Sequence, residues 1–584
     1  MPDIAIQGPE QLRSLSAESL QELADRVRQL IITTCIKNGG HIGASLGAVE
    51  LAVALHSVFE SPSEAILWDV GHQAYAHKII TGRWQKFLQM RQLGGISGFL
   101  NRQESPHDVF GAGHSSTALS AALAVAWANK NKSNLQSTSQ RLPWTVAVVG
   151  DGGMTAGLAF EALNQFRTTP IGPLLLVIND NQMSISKNVG AIPDILASEN
   201  PKSFFELFGF DYVGPIDGHD ISKLIDALTE IKAGSQTKPV VLHARTIKGK
   251  GYKPAIENPS SFHGIGPTSG ISGPKTTSYS EKFGEVLCKL AEADKKIVAI
   301  TAAMTEGTGL SQFKSRFPNR FFDVGIAEAH AVTFAAGLAT QGYRPVVAIY
   351  STFFQRALDS MIHDVALQNL GVTFAIDRAG LVGADGPTHH GVFDIAYFGM
   401  VPQVTVTAPT CLDDLSALLS TAVSSGKPWV IRYPRGSGPE NYPCLIKDGV
   451  RIHSQVDRPD LIVIGLGNTA QKIQGIAELL GPHQSRVSVI STSSAKPIAS
   501  VLKQHLLEHP QAALFCIEDG VRRGGFGEGL LASLPPREKV FKIFGYRDHF
   551  IGHGSVSELE DQECLSKTAL IEAIRGYLNG EKTT

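Results

Sequence analysis

Asp151 stands between glycines at the end of an apolar run in VVGDGGMTAGLAFEALN (148–164), and Asn181 ends a second run in LLLVINDNQMSIS (174–186). A carboxylate, a side-chain amide and a nearby backbone carbonyl are hard oxygen donors, a set suited to Mg2+ shared between protein and phosphate oxygens. The glycines let backbone N–H groups approach the same phosphates at the start of a helix read over 152–164. The simplest ligand for this arrangement is a diphosphate with its magnesium. A bare Gly-Asp-Gly is also a common tight turn from strand to helix, and the Asn-Asp-Asn ending the next run is what gives the pair its chemical weight. A second constellation, DVGIAEAHAVTFAAGLA (323–339), sets Glu328 among small and apolar residues. Burial raises the pKa of such a carboxyl and lets it share a proton with a ring nitrogen.

Holding Asp151 and Asn181 together requires two neighbouring strands that end on the same side. Runs such as TVAVVG, LLLVIN, VVLHAR, VVAIY, TFAID, LIVIGLG, VSVIS and ALFCIED alternate with helix-period segments such as SLQELADRVRQLIITTCI and FQRALDSMIHDVALQNL. That is the βα rhythm of parallel sheets, and it puts both residues at the carboxyl ends of strands, where open parallel sheets bind ligands. At 584 residues the chain exceeds a single core. Two interruptions rich in Gly, Pro and Ser, at 254–278 and 433–450, mark domain connections. The reading is three consecutive α/β domains with mainly parallel sheets, at 1–272, 273–440 and 441–584.

Charge narrows the function. The 52 basic and 54 acidic residues leave a formal charge of −2, without the basic footprint that neutralises a phosphate backbone, so nucleic acid is not an expected partner. The six cysteines are scattered and form no Cys-x-x-Cys, which argues against structural zinc and against a disulfide framework. They read as small core residues of a reducing compartment. The start of the chain lacks the basic-then-apolar order of a signal peptide, and no uninterrupted apolar stretch reaches the ~18 residues of a membrane span. A cytoplasmic protein with no membrane association is expected.

A longer series of motifs makes the reading specific. GGHIGASLGAVEL, WDVGHQAYAHKIITGR, GGISGF, FGAGHSSTALSAALA, GDGGMTAGLAFEALN, NDNQMSIS, IKGKGYKPA, FDVGIAEAHAVTFAAGLA, AIYSTFFQRALDSMIHDVALQ, AIDRAGLVGADGPTHHGVFD, YPRG and GGFG occur in this order. Over nearly its whole length the chain resembles the 1-deoxy-D-xylulose-5-phosphate synthase family, thiamine diphosphate-dependent enzymes of the transketolase-like superfamily.

The resemblance implies a cofactor, thiamine diphosphate, with its diphosphate and Mg2+ on the first domain and its pyrimidine on the second. Asp151, Asn181 and the carbonyl of Met183 would hold the metal. His72, Gly113, His114, Ser115, Gly152, Gly153 and Tyr252 would line the cofactor, with Phe353 against the pyrimidine. Glu328 would bond the pyrimidine nitrogen and favour the imino tautomer that removes the thiazolium proton. The cofactor then supplies the carbanion, and the protein supplies orientation and electrostatics. The implied reaction decarboxylates pyruvate and joins the resulting enamine to D-glyceraldehyde 3-phosphate. It yields 1-deoxy-D-xylulose 5-phosphate, used in isoprenoid synthesis by the non-mevalonate route and in thiamine synthesis.

Arg378 and Arg435 match the family's candidates for the acceptor phosphate, with Tyr350 and Arg356 nearby, and arginine suits bidentate phosphate recognition. His41, His263 and His389, with Asp385 beside the last, match positions for proton traffic, which needs groups near neutral pKa. Of the adjacent His389 and His390, the matched place is that of His389. A homodimer is implied as well.

This chain departs from the pattern in three places. Ala329 replaces a glutamine of AEQHA, QRALDS replaces QRAYDQ, and the family's longer insertion after NVGA is reduced to a linker punctuated by Pro and Ser. Two other readings stand beside the synthase. One is a transketolase or the decarboxylating component of a 2-oxo acid dehydrogenase, against which GADGPTHHG and AIYSTFFQRA speak. The other is a catalytically weak paralogue with a binding or regulatory role, against which the intact Asp151, Asn181, Glu328, His41 and His389 speak.

Overall fold

The computed structural model describes residues 6–136, 141–185, 187–234, 237–267, 276–442, 444–447 and 449–581. The chain divides into two compact units, residues 1–271 with 325–327, and residues 272–324 with 328–584. The boundary read at 272/273 lies outside the described residues.

The first unit is organised on β1 (Ala65–Trp68), β2 (Thr145–Gly150), β3 (Leu174–Asp180), β4 (Asp211–Asp217) and β5 (Val240–Arg245). All neighbours are parallel, in the order β1-β2-β3-β5-β4. Successive residues feed opposite faces. Ile66, Val146, Val148, Leu175 and Val177 enter one apolar cluster, and Leu67, Ala147, Val149, Leu174 and Leu176 enter the other. With both faces covered, a strand needs apolar residues throughout, which is why β2 and β3 are legible as uninterrupted runs. Leu23, Val27, Leu30 and Ile31 of the helix Ala17–Asn38 pack into the first cluster. That helix is capped where Ser16 accepts from the N–H of Ser19, and it stops at Gly39, with φ +77°.

The second unit carries two sheets. β6 (Ile297–Thr301), β7 (Phe321–Asp323), β8 (Arg344–Tyr350), β9 (Thr373–Ala379), β10 (Thr405–Thr407) and β11 (Trp429–Pro434) form a parallel sheet in the order β10-β11-β9-β8-β6-β7. The other sheet is ordered β12-β13-β15-β14-β17-β18, from β12 (Leu445–Lys447), β13 (Val450–Ser454), β14 (Leu461–Leu466), β15 (Val487–Thr492), β17 (Ala513–Val521) and β18 (Phe541–Tyr546). The remaining strand, β16 (Ser494–Lys496), leaves its neighbours in sequence and adds antiparallel to the free side of β10. One apolar cluster joins Ile376 and Val406 of the first sheet to Ile464 and Leu514 of the second.

All eight strand runs read from the sequence are strands, and the fold is α/β with mainly parallel sheets. Two helix readings change. The segment 152–164 does not start as a helix: Asp151–Thr155 is a tight turn, Ala156 is extended, and the helix runs Gly157–Phe166. Paired glycines are poor helix formers, so the helix begins after them. FQRALDSMIHDVALQNL is a series of short turns, kinked at Ala357 and widened to π-type turns over Met361–Ala366, a geometry associated with functional sites. Cys35, Cys288, Cys411 and Cys516 are core residues as expected, whereas Cys444 is half-buried and Cys564 exposed. Among the described residues, no helix is long and apolar enough to cross a membrane.

Candidate active site

Asp151 follows β2 directly and Asn181 follows β3, and the parallel register pairs Gly150 with Asn179. That register brings Asp151 against Asp180. Burial and the second carboxylate push Asp151 up to about 8, and its Oδ1 is buried with no hydrogen-bond partner. A buried carboxyl so disfavoured as an anion is relieved by a cation. Asn181 Oδ1 accepts from the N–H of Met183 at 3.1 Å, which turns the chain so that amide and carbonyl come from one loop. One carboxylate, one amide and one carbonyl fit a hard divalent ion whose remaining ligands are phosphate and water oxygens.

Asp180 also enters a relay, its Oδ2 2.9 Å from His243 Nε2, with His243 Nδ1 2.7 Å from the Tyr212 hydroxyl. Asp69, at the end of β1, organises the next turn. It accepts from Ser115 Oγ at 3.1 Å, from the N–H of Ser116 at 2.8 Å and from the N–H of Ala118 at 3.3 Å, while Ser116 Oγ donates to the Gly153 carbonyl at 2.7 Å. The Gly113-His114-Ser115 turn and the Gly152-Gly153 turn are thereby one assembly. A Cβ on Gly153 would lie 2.6 Å from Asp69 Oδ2, so glycine is a packing requirement there.

Three of the expected histidines gather in the same unit. The ring centroids of His41 and His72 are 6.0 Å apart, those of His41 and His263 5.5 Å, and those of His72 and His263 5.4 Å. Lys248, only 5 % exposed, donates to the Ser184 carbonyl and lies 3.1 Å from His263 Nδ1. Burial, reinforced by the His41 ring and the Lys248 ammonium, holds His72 well below the ordinary imidazole range. Burial and Lys248 do the same to His263, which departs from the near-neutral group expected of a proton carrier and makes it a neutral donor and acceptor. Tyr252 meets Phe262 edge-on at 5.7 Å.

In the second unit Glu328 opens the helix Glu328–Thr340 and is 5 % exposed. Burial raises its pKa, opposed by the Arg356 guanidinium, as its apolar setting in the sequence predicts. Tyr350 ends β8 and stacks on Phe353 at 5.7 Å, and Phe353 meets His389 edge-on at 5.3 Å. Thr388 Oγ1 lies 2.9 Å from His389 Nδ1, and Thr352 donates to the Thr388 carbonyl at 2.9 Å. His390 is engaged elsewhere: its Nδ1 accepts from the N–H of Val382 at 3.2 Å and its Nε2 lies 2.9 Å from the Gly552 carbonyl. Arg378 donates to the Gly307 carbonyl at 2.8 Å and to Asp377 at 3.0 Å. Arg435 is half-exposed, 3.7 Å from Asp385.

The comparisons with known proteins follow this division of the chain. Residues 4–203 and 198–246 match the family model of 1-deoxy-D-xylulose-5-phosphate synthase, residues 275–440 the transketolase pyrimidine-binding domain, and residues 450–569 the transketolase C-terminal domain. A 1-deoxy-D-xylulose-5-phosphate synthase of Aquifex aeolicus is 44 % identical over 98 % of this chain and 98 % of its own. A second, 1-deoxy-D-xylulose-5-phosphate synthase 2 of Geobacter sulfurreducens, is 42 % identical with the same coverage. The chain belongs to the 1-deoxy-D-xylulose-5-phosphate synthase family.

Like other members of the 1-deoxy-D-xylulose-5-phosphate synthase family, it is a thiamine diphosphate-dependent enzyme of the transketolase class. The alignment to the Aquifex synthase runs over 623 positions against 584 residues in this chain, so the relative carries residues that are lacking here. The synthase family model matches in two pieces that meet at 198–203, within the linker where the sequence departs from the pattern. In the structure that linker is two short helices, Ala191–Ala197 and Lys202–Leu207, with Leu196 and Phe205 buried. Sequence reading passed over Asp69, Lys248 and the Asp180–His243 pair. Their partners come from other strands and loops; Asp69 in WDVGHQAY, Asp180 in NDNQMSIS and Lys248, the first lysine of IKGKGY, each lie within a quoted motif, but nothing in those motifs names the partner.

Proposed function

We propose that the chain catalyses thiamine diphosphate-dependent decarboxylation of pyruvate and ligation of the two-carbon unit to D-glyceraldehyde 3-phosphate, giving 1-deoxy-D-xylulose 5-phosphate and carbon dioxide. The observation that carries this reading is the buried Asp151 with its orphaned Oδ1 beside Asn181 and Met183, in a chain more than 40 % identical to named synthases. Domains at 1–272, 273–440 and 441–584 accompany it.

Asp151, Asn181 and the Met183 carbonyl hold Mg2+, and the Gly152-Gly153 and Gly113–Ser115 turns, pinned by Asp69, receive the diphosphate with backbone N–H groups, with Tyr252 and His114 alongside. Bound thiamine diphosphate supplies the carbon nucleophile. Glu328, whose pKa burial raises, would hold and share a proton at the pyrimidine nitrogen of the bound cofactor, and Phe353 would pack against that ring. His72, held neutral by burial, lines the cofactor, while His41 and His263, the latter also held neutral by burial, present N–H donors and lone pairs to oxygens that gain or lose a proton. His389, steered by Thr388, has the same role, together with Asp385. Arg378 and Arg435 bind the acceptor phosphate, Arg378 pre-set by Gly307 and Asp377, with Tyr350 and Arg356 completing the substrate side.

Exposed apolar side chains near the helix Glu328–Thr340, among them Phe322, Tyr343 and Leu367, support a homodimer. The cysteines, free of disulfides, support a reducing cytoplasm.

The test is carbon dioxide release from labelled pyruvate with thiamine diphosphate and Mg2+, with and without D-glyceraldehyde 3-phosphate. Release accelerated by the aldehyde, with a deoxypentulose phosphate identified by mass, is the expected result. Cofactor binding with no release would move the weight to a regulatory paralogue.

A further inference from the structure

Asn188 has none of the roles assigned above, yet its side chain reaches the centre of the metal-side cluster. Its Nδ2 donates to Asp151 Oδ2 at 2.8 Å. Its Oδ1 is within reach of the neighbouring turn, since a Cβ on Gly152 would stand 3.1 Å from it. The backbone N–H of Asn188 donates to the Gln182 carbonyl at 3.2 Å, and Met183 pairs with Lys187 in an antiparallel bridge. Gln182 and Met183 therefore pair with Lys187 and Asn188 as two facing limbs. Asn181 leads directly into the first limb, which carries Met183, and Asn188 ends the second.

The two oxygens of Asp151 differ in consequence. Oδ2 is held by the Asn188 amide, while Oδ1 is buried with no hydrogen-bond partner. A carboxylate anchored through one oxygen cannot rotate freely about its Cβ–Cγ bond, so the other oxygen has a fixed direction. An amide can do this because it donates without adding charge. Such outer partners orient metal-binding carboxylates, and their loss costs ~10–100-fold in metal affinity.

We propose that Asn188 is a positioning residue for the divalent cation. By holding Asp151 Oδ2 it aims Oδ1 at the metal, and the same bond ties the loop bearing Asn181 and Met183 to the turn bearing Asp151. The inference rests on the reading of Asp151 as a metal ligand, and the experiment separates the two.

The full-length chain and its N188A, N188D and D151N variants are titrated with Mg2+ at fixed thiamine diphosphate, and cofactor binding is followed by intrinsic fluorescence. Melting temperatures are taken without metal or cofactor, and kcat at saturating Mg2+. For N188A the expected result is a half-saturating Mg2+ concentration raised fivefold or more, with the metal-free melting temperature and kcat unchanged. A rise below fivefold, or a rise matched by loss of metal-free stability, overturns the proposal. If N188A cannot be purified, the isosteric N188D removes the donor and adds a charge; a change of fivefold or more in either direction supports the proposal, and a smaller one overturns it. Should D151N leave the Mg2+ titration unchanged, the metal-site reading fails first. Should D151N disturb it while N188A does not, only the role of Asn188 fails.

Discussion

The guanidinium carbon of Arg378 lies 3.8 Å from the centroid of the Tyr350 ring. Arg378 is thus fixed three ways, by this ring, by the Gly307 carbonyl and by Asp377. A cation so restrained loses little freedom when it meets a phosphate. Asp377 is itself buried and accepts from Ser280 Oγ at 2.6 Å, so the pre-setting extends to a second element.

Arg378→Lys keeps the charge but forfeits the planar fork and the ring contact. We expect the KM for D-glyceraldehyde 3-phosphate to rise at least about tenfold, the scale of one charge-assisted hydrogen bond. Arg435→Lys, at a half-exposed ion pair with Asp385, should change it by less than about threefold. Steady-state kinetics with the acceptor varied checks both, and equal effects would contradict the distinction.

Glu328→Gln removes the transferable proton while leaving a side chain of similar shape. The expected loss in decarboxylation is about hundredfold or more, with Mg2+-dependent cofactor binding retained because the metal-side residues are untouched. Stopped-flow carbon dioxide release and equilibrium binding, measured on the same preparation, separate the two effects.

Gly153→Ala would bring a methyl group to 2.6 Å from Asp69 Oδ2. Asp69 must then move, and with it the bonds to Ser115, Ser116 and Ala118. A destabilisation of about 1–3 kcal/mol, together with at least a tenfold weaker thiamine diphosphate affinity, is expected from denaturant melts and binding titration. Unchanged affinity would mean that the turn does not carry the diphosphate.

Glu518, beneath the helix Phe526–Ala532, accepts from the N–H groups of Phe526 and Gly527 at 2.7 and 3.1 Å, yet burial pushes it up to about 8. The unfolded chain releases this proton near the ordinary value for Glu, about 4.3, and the folded chain keeps it until about pH 8. The folded state therefore binds more protons in that window. Its contribution to stability is full below the lower limit and falls, by about 1 kcal/mol per pH unit, until the upper one. Glu518→Gln should flatten this fall, visible as convergence or crossing of the melting curves of variant and parent between pH 5 and 8.

The sequence displays what is repeated along a strand and conceals what is assembled across strands. β2 and β3 are buried, nearly continuous apolar runs, β5 and β9 are buried and apolar over most of their length, and all four were readable for that reason. β4, DYVGPID, lies at a sheet edge with mostly exposed or half-buried residues, and β7 and β10 are three residues long; none offers a period. Asp151, Asn181 and Glu328 were legible because short motifs enclose them. The bond from Arg432 to Asp519 spans 87 positions, and no local pattern announces it. The helix expected at 152–164 begins later because the glycines that suit a phosphate turn are unsuited to a helix.

Strand β16 originates beyond residue 441 and completes the edge of the sheet formed by the middle third, and Arg432 of that sheet is 1 % exposed between Asp394, at 2.9 Å, and Asp519 of β17, at 2.6 Å. A cut near residue 440 would bare the N–H and C=O groups of β10 and strand a buried arginine with half its counter-charge. The final third is thus no detachable module. Gene fission at that point, or an exchange of C-terminal segments between relatives, demands that Ser494–Lys496 and Asp519 still be supplied to the middle sheet.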